Sequence, residues 1–204
     1  MLDNKKLKLI EKKIPKLLSE KEIVKNEQNK KLTAFYSENA LISLNTAKIL
    51  NEISNNNFLK KQFDFIYDDF ESYLWIVNTS YYSMFYMAGA MLAKKGIKIK
   101  SCMGIHKKTF ETMVYYFYLT KKIAKNFLEE FEEAQKESQE LLGTDMNSMQ
   151  EKARELMIKY NFEMEKRAKF TYNLGTKSKQ NKAATSLKRA VEFYNECLRI
   201  MDKI

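Results

Sequence analysis

The sequence predicts an all-α protein, an up-and-down antiparallel helical bundle, and three observations predict it. Five Gly and a single Pro in 204 residues give too little punctuation for the many tight turns of an all-β fold. The 45% hydrophobic content is rich in Leu, Ile, Met, Phe and Tyr. Long stretches repeat those residues every three or four positions, the period of a helix and not of a strand. The length suits one domain with a real core.

Residues 1–31 read as a basic N-terminal arm, with the bundle itself spanning 32–204. Leu7, Ile10, Ile14 and Leu17 stand at helical spacing, but Pro15 lacks a backbone donor and is expected to break or kink that helix. A first core helix is expected over 34–54, with Phe35, Ile42, Ile49 and Ile53 on its buried face and the run Asn55-Asn56-Asn57 ending it. A short helical or irregular connection follows over 58–67. The clearest stripe lies in 68–95, where Leu74, Val77, Tyr81, Met84, Ala88 and Met91 follow one another at three or four residues, widened by Phe85 and Leu92. Asp68 and Asp69 suit the positive end of that helix, and Lys94, Lys95 and then Gly96 suit its negative end and C′ position. Its Ala88-Gly89-Ala90 patch would let another backbone approach closely.

After the loop GIKIKS, Ser101 or a neighbour caps a helix over about 103–119 that carries Phe110, Met113, Val114, Phe117 and Tyr118. An acidic helix with Phe127, Phe131 and Leu141 continues over 121–142. Gly143-Thr144-Asp145 forms a turn, and Asp145 or Asn147 caps a helix over 147–172 whose stripe is Met149, Ala153, Leu156, Tyr160, Met164 and Arg167. Asn173, Gly175 and the polar run to Lys182 are expected to form a loop, and the last helix, 182–202, carries Ala183, Leu187, Ala190, Tyr194, Cys197 and Met201 at clean spacing.

The net charge of +10 is unevenly placed. Residues 1–31 carry +5, residues 127–155 carry −6 and residues 159–204 carry +6. Two basic segments flanking an acidic one suit contact with a polyanion on one surface, although lysine-rich solvated faces have the same composition. No window holds the ~18 uncharged apolar residues of a membrane span, and lysines interrupt the N-terminus where a secretory signal would be apolar. A soluble, cytoplasmic protein without a membrane partner is expected. Cys102 and Cys197 have no ligand-like spacing, so reduced thiols are expected.

The sequence contains no Gly-rich phosphate loop, no HExxH helix and no serine nucleophile elbow. Glu129, Glu130, Glu132 and Glu133 form a dense acidic run, but a chain with one histidine is poorly supplied for a carboxylate–histidine metal site. No metal and no cofactor are therefore expected.

The stretch VNTSYYSMFYMAGAMLAKKGIKIKSCMGIHKKTF resembles the central signature of the HEPN domain, the higher eukaryotes and prokaryotes nucleotide-binding superfamily. Tyr81, Tyr82, Met84, Phe85, Ala88, Ala90, Lys94 or Lys95, Gly96 and Ile97 stand in the places of its tyrosine-rich helix and following Ala-Lys-Gly-Ile. Downstream, KRAKFTYNLG is similar to the prokaryotic branch's Arg-x-x-Ala-x-Tyr element, with Phe170 where the alanine would be. The resemblance covers about residues 34–204. Two departures are that Cys102 stands in the capped loop where the branch often has histidine, and that the acidic segment 121–165 is longer than in compact members. A third is that nuclease members follow their arginine, after four to six residues, with a histidine, and none follows Arg167.

What the resemblance implies is an RNA- or nucleotide-phosphate-binding protein of the HEPN and minimal-nucleotidyltransferase type. Its toxin-side members act as metal-independent ribonucleases in homodimers that set two arginine elements across a cleft, and the antitoxin-like nucleotidyltransferase is the implied partner protein. The residues carried over are Arg167 and Tyr172 as the catalytic pair, and Arg167, Lys166, Lys169, Asn173 and Tyr82 as phosphate- or nucleotide-binding groups. Arginine suits the scissile phosphate because its planar fork grips two oxygens and stays charged. Tyr172, with an ordinary pKa near ~10, is a poor general base at neutral pH. It stands five residues after Arg167, ~140° around an ideal helix, so the two converge only if the helix ends between them or across a dimer. The packing alternative for Arg167 is a salt bridge to Glu163, one turn back. His106, beside Lys107 and Lys108, reads as a surface residue near a helix start. The spacing of Tyr81, Tyr82, Tyr86, Tyr115, Tyr116 and Tyr118 favours core packing over base stacking, with the Tyr82 hydroxyl as a candidate to face the cleft. The rival reading is a non-catalytic protein-interaction module built on the same bundle.

Overall fold

The computed structural model describes residues 2–63, 70–100, 104–142 and 176–203. It is an all-α helical bundle, with helices α1 Asn4–Ser19, α2 Leu32–Asn55, α3 Asn57–Gln62, α4 Tyr73–Lys94, α5 Ile105–Met113, α6 Lys125–Leu142 and α7 Thr176–Met201. Among the described residues no helix is long and apolar enough to cross a membrane.

The core is built around α4, which is buried on most of its circumference. One side carries the expected Val77, Tyr81, Met84, Ala88 and Met91, and Ile76, Ser80, Ser83, Met87 and Ala90 are buried as well. Its end follows the sequence reading: Lys95 is the C-cap, and Gly96 at C′ takes φ +72°, which lets its N–H reach the Ala93 carbonyl at 2.7 Å. Asp68 and Asp69 lie outside the described residues, and Ser72 holds the N-cap position.

Helix α2 runs antiparallel to α4, with Ser83 Oγ donating to the Ala40 carbonyl at 2.9 Å and Ser54 bonded to Ser72 at 2.7 Å. The expected buried face is wrong here. Ala40, Leu44 and Ala47 face the core, whereas Phe35, Ile42 and Ile49 are more than half exposed. Small residues on both helices allow close approach, and a seam of large side chains would hold the axes apart. The small patch at 88–90 is part of this seam, but a ring rather than a backbone comes near: a Cβ on Gly89 would lie 3.2 Å from the Tyr36 ring.

Pro15 does not end α1, which continues to Ser19. The carbonyl left without its helical donor belongs to Glu11, and both Glu11 and Pro15 are exposed, so water reaches the vacated position. Asp3 caps the helix by accepting from the Lys6 N–H at 2.7 Å. Ile10, Ile14 and Leu17 are buried in the same core as α4, so the basic arm packs within the bundle. A second difference follows in 97–99. Instead of a loop, Ile97–Ile99 forms β2, antiparallel to β1, Ile23–Lys25, with Ile23 opposite Ile99. Three residues are too few for alternation to stand out, though Ile97 and Ile99 are buried and Lys98 is exposed, as a strand requires.

Helix α5 starts later than expected, at Ile105, with Gly104 at its N-cap in the left-handed region (φ +76°) that glycine adopts without strain; Ser101 lies outside the described residues. Helix α7 starts earlier than expected, at Thr176, so the polar run from there to Lys182 is helix and not loop. Beyond Met113 the chain widens into a π-helical turn, Val114–Tyr118, in which the Leu119 N–H reaches the Val114 carbonyl at 3.0 Å. That turn buries Phe117 fully and leaves Tyr115, Tyr116 and Tyr118 half-buried.

The charge segments of the sequence meet in space. Lys6 of α1 bonds Glu132 of α6 at 2.5 Å, Lys13 bonds buried Glu111 of α5 at 2.6 Å, and Arg189 of α7 bridges Glu133 and Glu137 at 3.0 and 3.2 Å. Part of the basic charge thus neutralises the acidic helix. Cys197 is a free, fully buried thiol whose pKa burial pushes well up.

Candidate functional site

The chain's only histidine is brought to the aromatic side of α4. Gly96 turns the chain out of α4, the β1–β2 pair fixes its course, and Gly104 starts α5, placing His106 in the first turn of α5 against Tyr81, Tyr82 and Phe85. The Tyr81 hydroxyl lies 2.6 Å from His106 Nδ1, and the Phe85 ring centre is 4.3 Å from that of the imidazole. Tyr82 meets the imidazole edge-on at 6.1 Å and neighbours Tyr86 at 6.2 Å. Beside this ledge is a hollow of about 270 Å³ with Tyr36, Phe85, Tyr86 and Gly89 in its wall and Lys98 at its rim.

His106 is therefore half-buried in an aromatic pocket, which corrects the expectation of a surface residue. Burial lowers its pKa, so the imidazole is neutral at pH 7. Burial raises that of Tyr81, which keeps its proton. Two tautomers fit. In one, Tyr81 donates to Nδ1 and Nε2–H is a donor; in the other, Nδ1–H donates to Tyr81 and Nε2 is an acceptor.

The depressed histidine gives a pH signature with a definite sign. The unfolded chain takes up a proton near the ordinary value of 6.5, while the folded chain resists until its lower pKa is reached. Stability should therefore fall as pH drops through the interval between them, since the unfolded state binds more protons there. Urea melts at pH 7.5 and about 5.5 check this, and His106→Gln should flatten the difference. An equal pH dependence in the variant would assign the effect to other groups.

The residues proposed from sequence divide sharply. Tyr82 lies on α4 in this cluster, half-buried rather than fully packed. Arg167, Tyr172, Lys166, Lys169 and Asn173 lie outside the described residues, as do the helix over 147–172, the turn at 143–145 and Cys102. The pairing of His106 with Tyr81 was missed by sequence reasoning. Its faint signal is that Tyr81 belongs to the most buried stripe of the chain, where a hydroxyl must find a polar neighbour. Among the described residues no three His, Cys, Asp or Glu side chains are grouped to hold a metal ion.

No family model, no curated protein and no solved structure matches this chain.

Proposed function

We infer that the chain is an RNA- or nucleotide-phosphate-binding bundle, HEPN-like in its signature residues, and the toxin-side member of a pair with a minimal nucleotidyltransferase. One observation supports this best. The signature residues Tyr82 and Phe85 form a half-exposed aromatic ledge beside His106, with Lys107 and Lys98 exposed on the same part of the molecule. Aromatic faces accept bases of any sequence and lysines accept phosphate. A histidine beside them supplies a neutral donor or acceptor, which the sequence lacks after Arg167. Arg167 and its neighbours Lys166, Lys169, Tyr172 and Asn173 remain the proposed phosphate clamp.

The test is fluorescence anisotropy of a labelled single-stranded RNA with the full chain over a salt series, run beside a cleavage assay without added metal. Affinity should fall steeply with salt as counterions are released. Tyr82→Ala and Arg167→Ala should each weaken binding by about tenfold or more. Cleavage lost in Arg167→Ala would establish the nuclease activity, and salt-sensitive binding without cleavage a binding module. Absence of salt-sensitive RNA binding would overturn the reading. A second reading, a non-catalytic interaction module, is favoured by the exposed apolar side chains of α2.

A further inference from the structure

The outward face of α2 carries a pattern that its packing in the bundle does not use. Phe35, Asn39, Ile42, Thr46, Ile49 and Ile53 follow one another at alternating steps of four and three, the spacing of a coiled-coil seam, and none of them is charged. Phe35, Ile42 and Ile49 are 56–59% exposed. Across the 24 residues of α2 only Glu38, Lys48 and Glu52 are charged, in a chain where 30% of residues are. The apolar surface continues onto α4. Ser72 bonds Ser54 and the Leu50 carbonyl, which sets Trp75, one turn on, level with Leu50. Trp75 is 58% exposed, and its spacing from Thr79, Tyr82, Tyr86 and Gly89 puts it on the side of α4 that Tyr36 of α2 overlies.

We propose that this face is where a second copy of the chain binds, with the two α2 helices antiparallel and the twofold axis at Ile42. The sequence is matched to that symmetry. Phe35 and Ile49 are equidistant from Ile42, so each Phe35 meets an Ile49 while Ile42 meets itself, as an isologous contact requires. With α2 about 36 Å long, the same axis sets Trp75 of each copy beside Phe35 of the other. The area is adequate. Four large side chains more than half exposed offer more than roughly 100 Å² each, and the exposed Thr46 and half-buried Ile53 widen the patch toward the ~800 Å² per partner of a standard interface. Charge points to the same occupant, because two bodies of net charge +10 repel and approach best through a face almost free of charge. This inference does not rest on the phosphate-binding reading, and RNA affinity can fail while it stands.

Sedimentation of the full chain over a ~100-fold concentration range tests it, read together with the emission of Trp75, the only tryptophan. The wild type should dimerise, with Trp75 emission moving to shorter wavelength as it does. Ile42→Glu should weaken association by more than about 30-fold and hold the emission at its monomer position, with an unchanged far-UV circular dichroism spectrum. Ile42→Cys should cross-link under mild oxidation, while Leu9→Cys, equally exposed on α1, should not. A wild type that stays monomeric throughout overturns the proposal, whether Ile42→Cys then proves open to alkylation or shielded by its own chain, and whether or not another protein is captured there. A dimer that survives Ile42→Glu overturns it equally.

Discussion

Replacing Phe131 by alanine is expected to cost about 3–5 kcal/mol and to lower Tm by roughly 10 °C in a protein of this size. Phe131 is fully buried at the meeting of four elements. Its ring lies 6.2 Å from Tyr81 of α4, 6.1 Å from Phe110 of α5 and 5.2 Å from Phe193 of α7. Those neighbours belong to different helices, none of which can close the gap without losing its other contacts, so a cavity remains. A thermal melt followed by circular dichroism measures the effect. Phe127→Ala, on the same helix but only half-buried, is the control and should cost clearly less. Equal losses in the two variants would mean that α6 contributes as a general apolar cover and not through this one ring. Tyr81 also holds His106, so Phe131→Ala should loosen the candidate site before the bundle unfolds.

Gly96→Val is expected to cost about 2–4 kcal/mol. The φ of +72° is one that a β-branched residue rarely adopts, and the first atom of any side chain would lie 2.9 Å from the Asn26 carbonyl oxygen. Relief requires the two strands to part, because the Gly96 carbonyl accepts from the Asn26 N–H at 2.8 Å and from Asn29 Nδ2 at 3.0 Å. Hydrogen exchange should show the amides of 23–26 and 97–99 opening first, ahead of α4. Gly104→Ala makes a useful comparison. It too has positive φ, but nothing lies within 4 Å of an added Cβ, so only the backbone strain of about 1 kcal/mol is expected. If both variants lose the same stability, the contact with Asn26 contributes nothing.

Most of the α4 stripe was legible in sequence, because a helix buried on several sides has no room for charge between its first turn and Lys94, although Leu74 and Phe85 are only half-buried and Ile76 and Met87 are buried beside the stripe. The end of that helix was legible as well, since Lys94, Lys95 and Gly96 are local signals that no tertiary contact overrides. The face of α2 was not. Periodicity weights large apolar residues, yet the side of α2 that meets α4 is lined by Ala40 and Ala47, whose small size is the reason they are buried there. Pro15 misled for a related reason, because its cost depends on whether the orphaned carbonyl faces water, which a sequence does not state. For the site, Tyr82 was reached through its aromatic neighbours. The joining of His106 to Tyr81 was not, since it spans 25 residues and depends on the turn at Gly96. The arginine element was chosen on its order in the chain and lies outside the described residues, so its relation to the ledge is a matter for the RNA experiments above.

The placement of α1 also bears on how the chain is made. Lys6 finds its acidic counterpart 126 residues further on, and Lys13 finds one 98 residues on. At about 5–20 residues per second a ribosome needs roughly 6–25 s after Lys6 to deliver the first of these, so the ion pairs of α1 close late. The apolar side of α1, with Ile10, Ile14 and Leu17, thus waits on segments made well after it before its burial is complete.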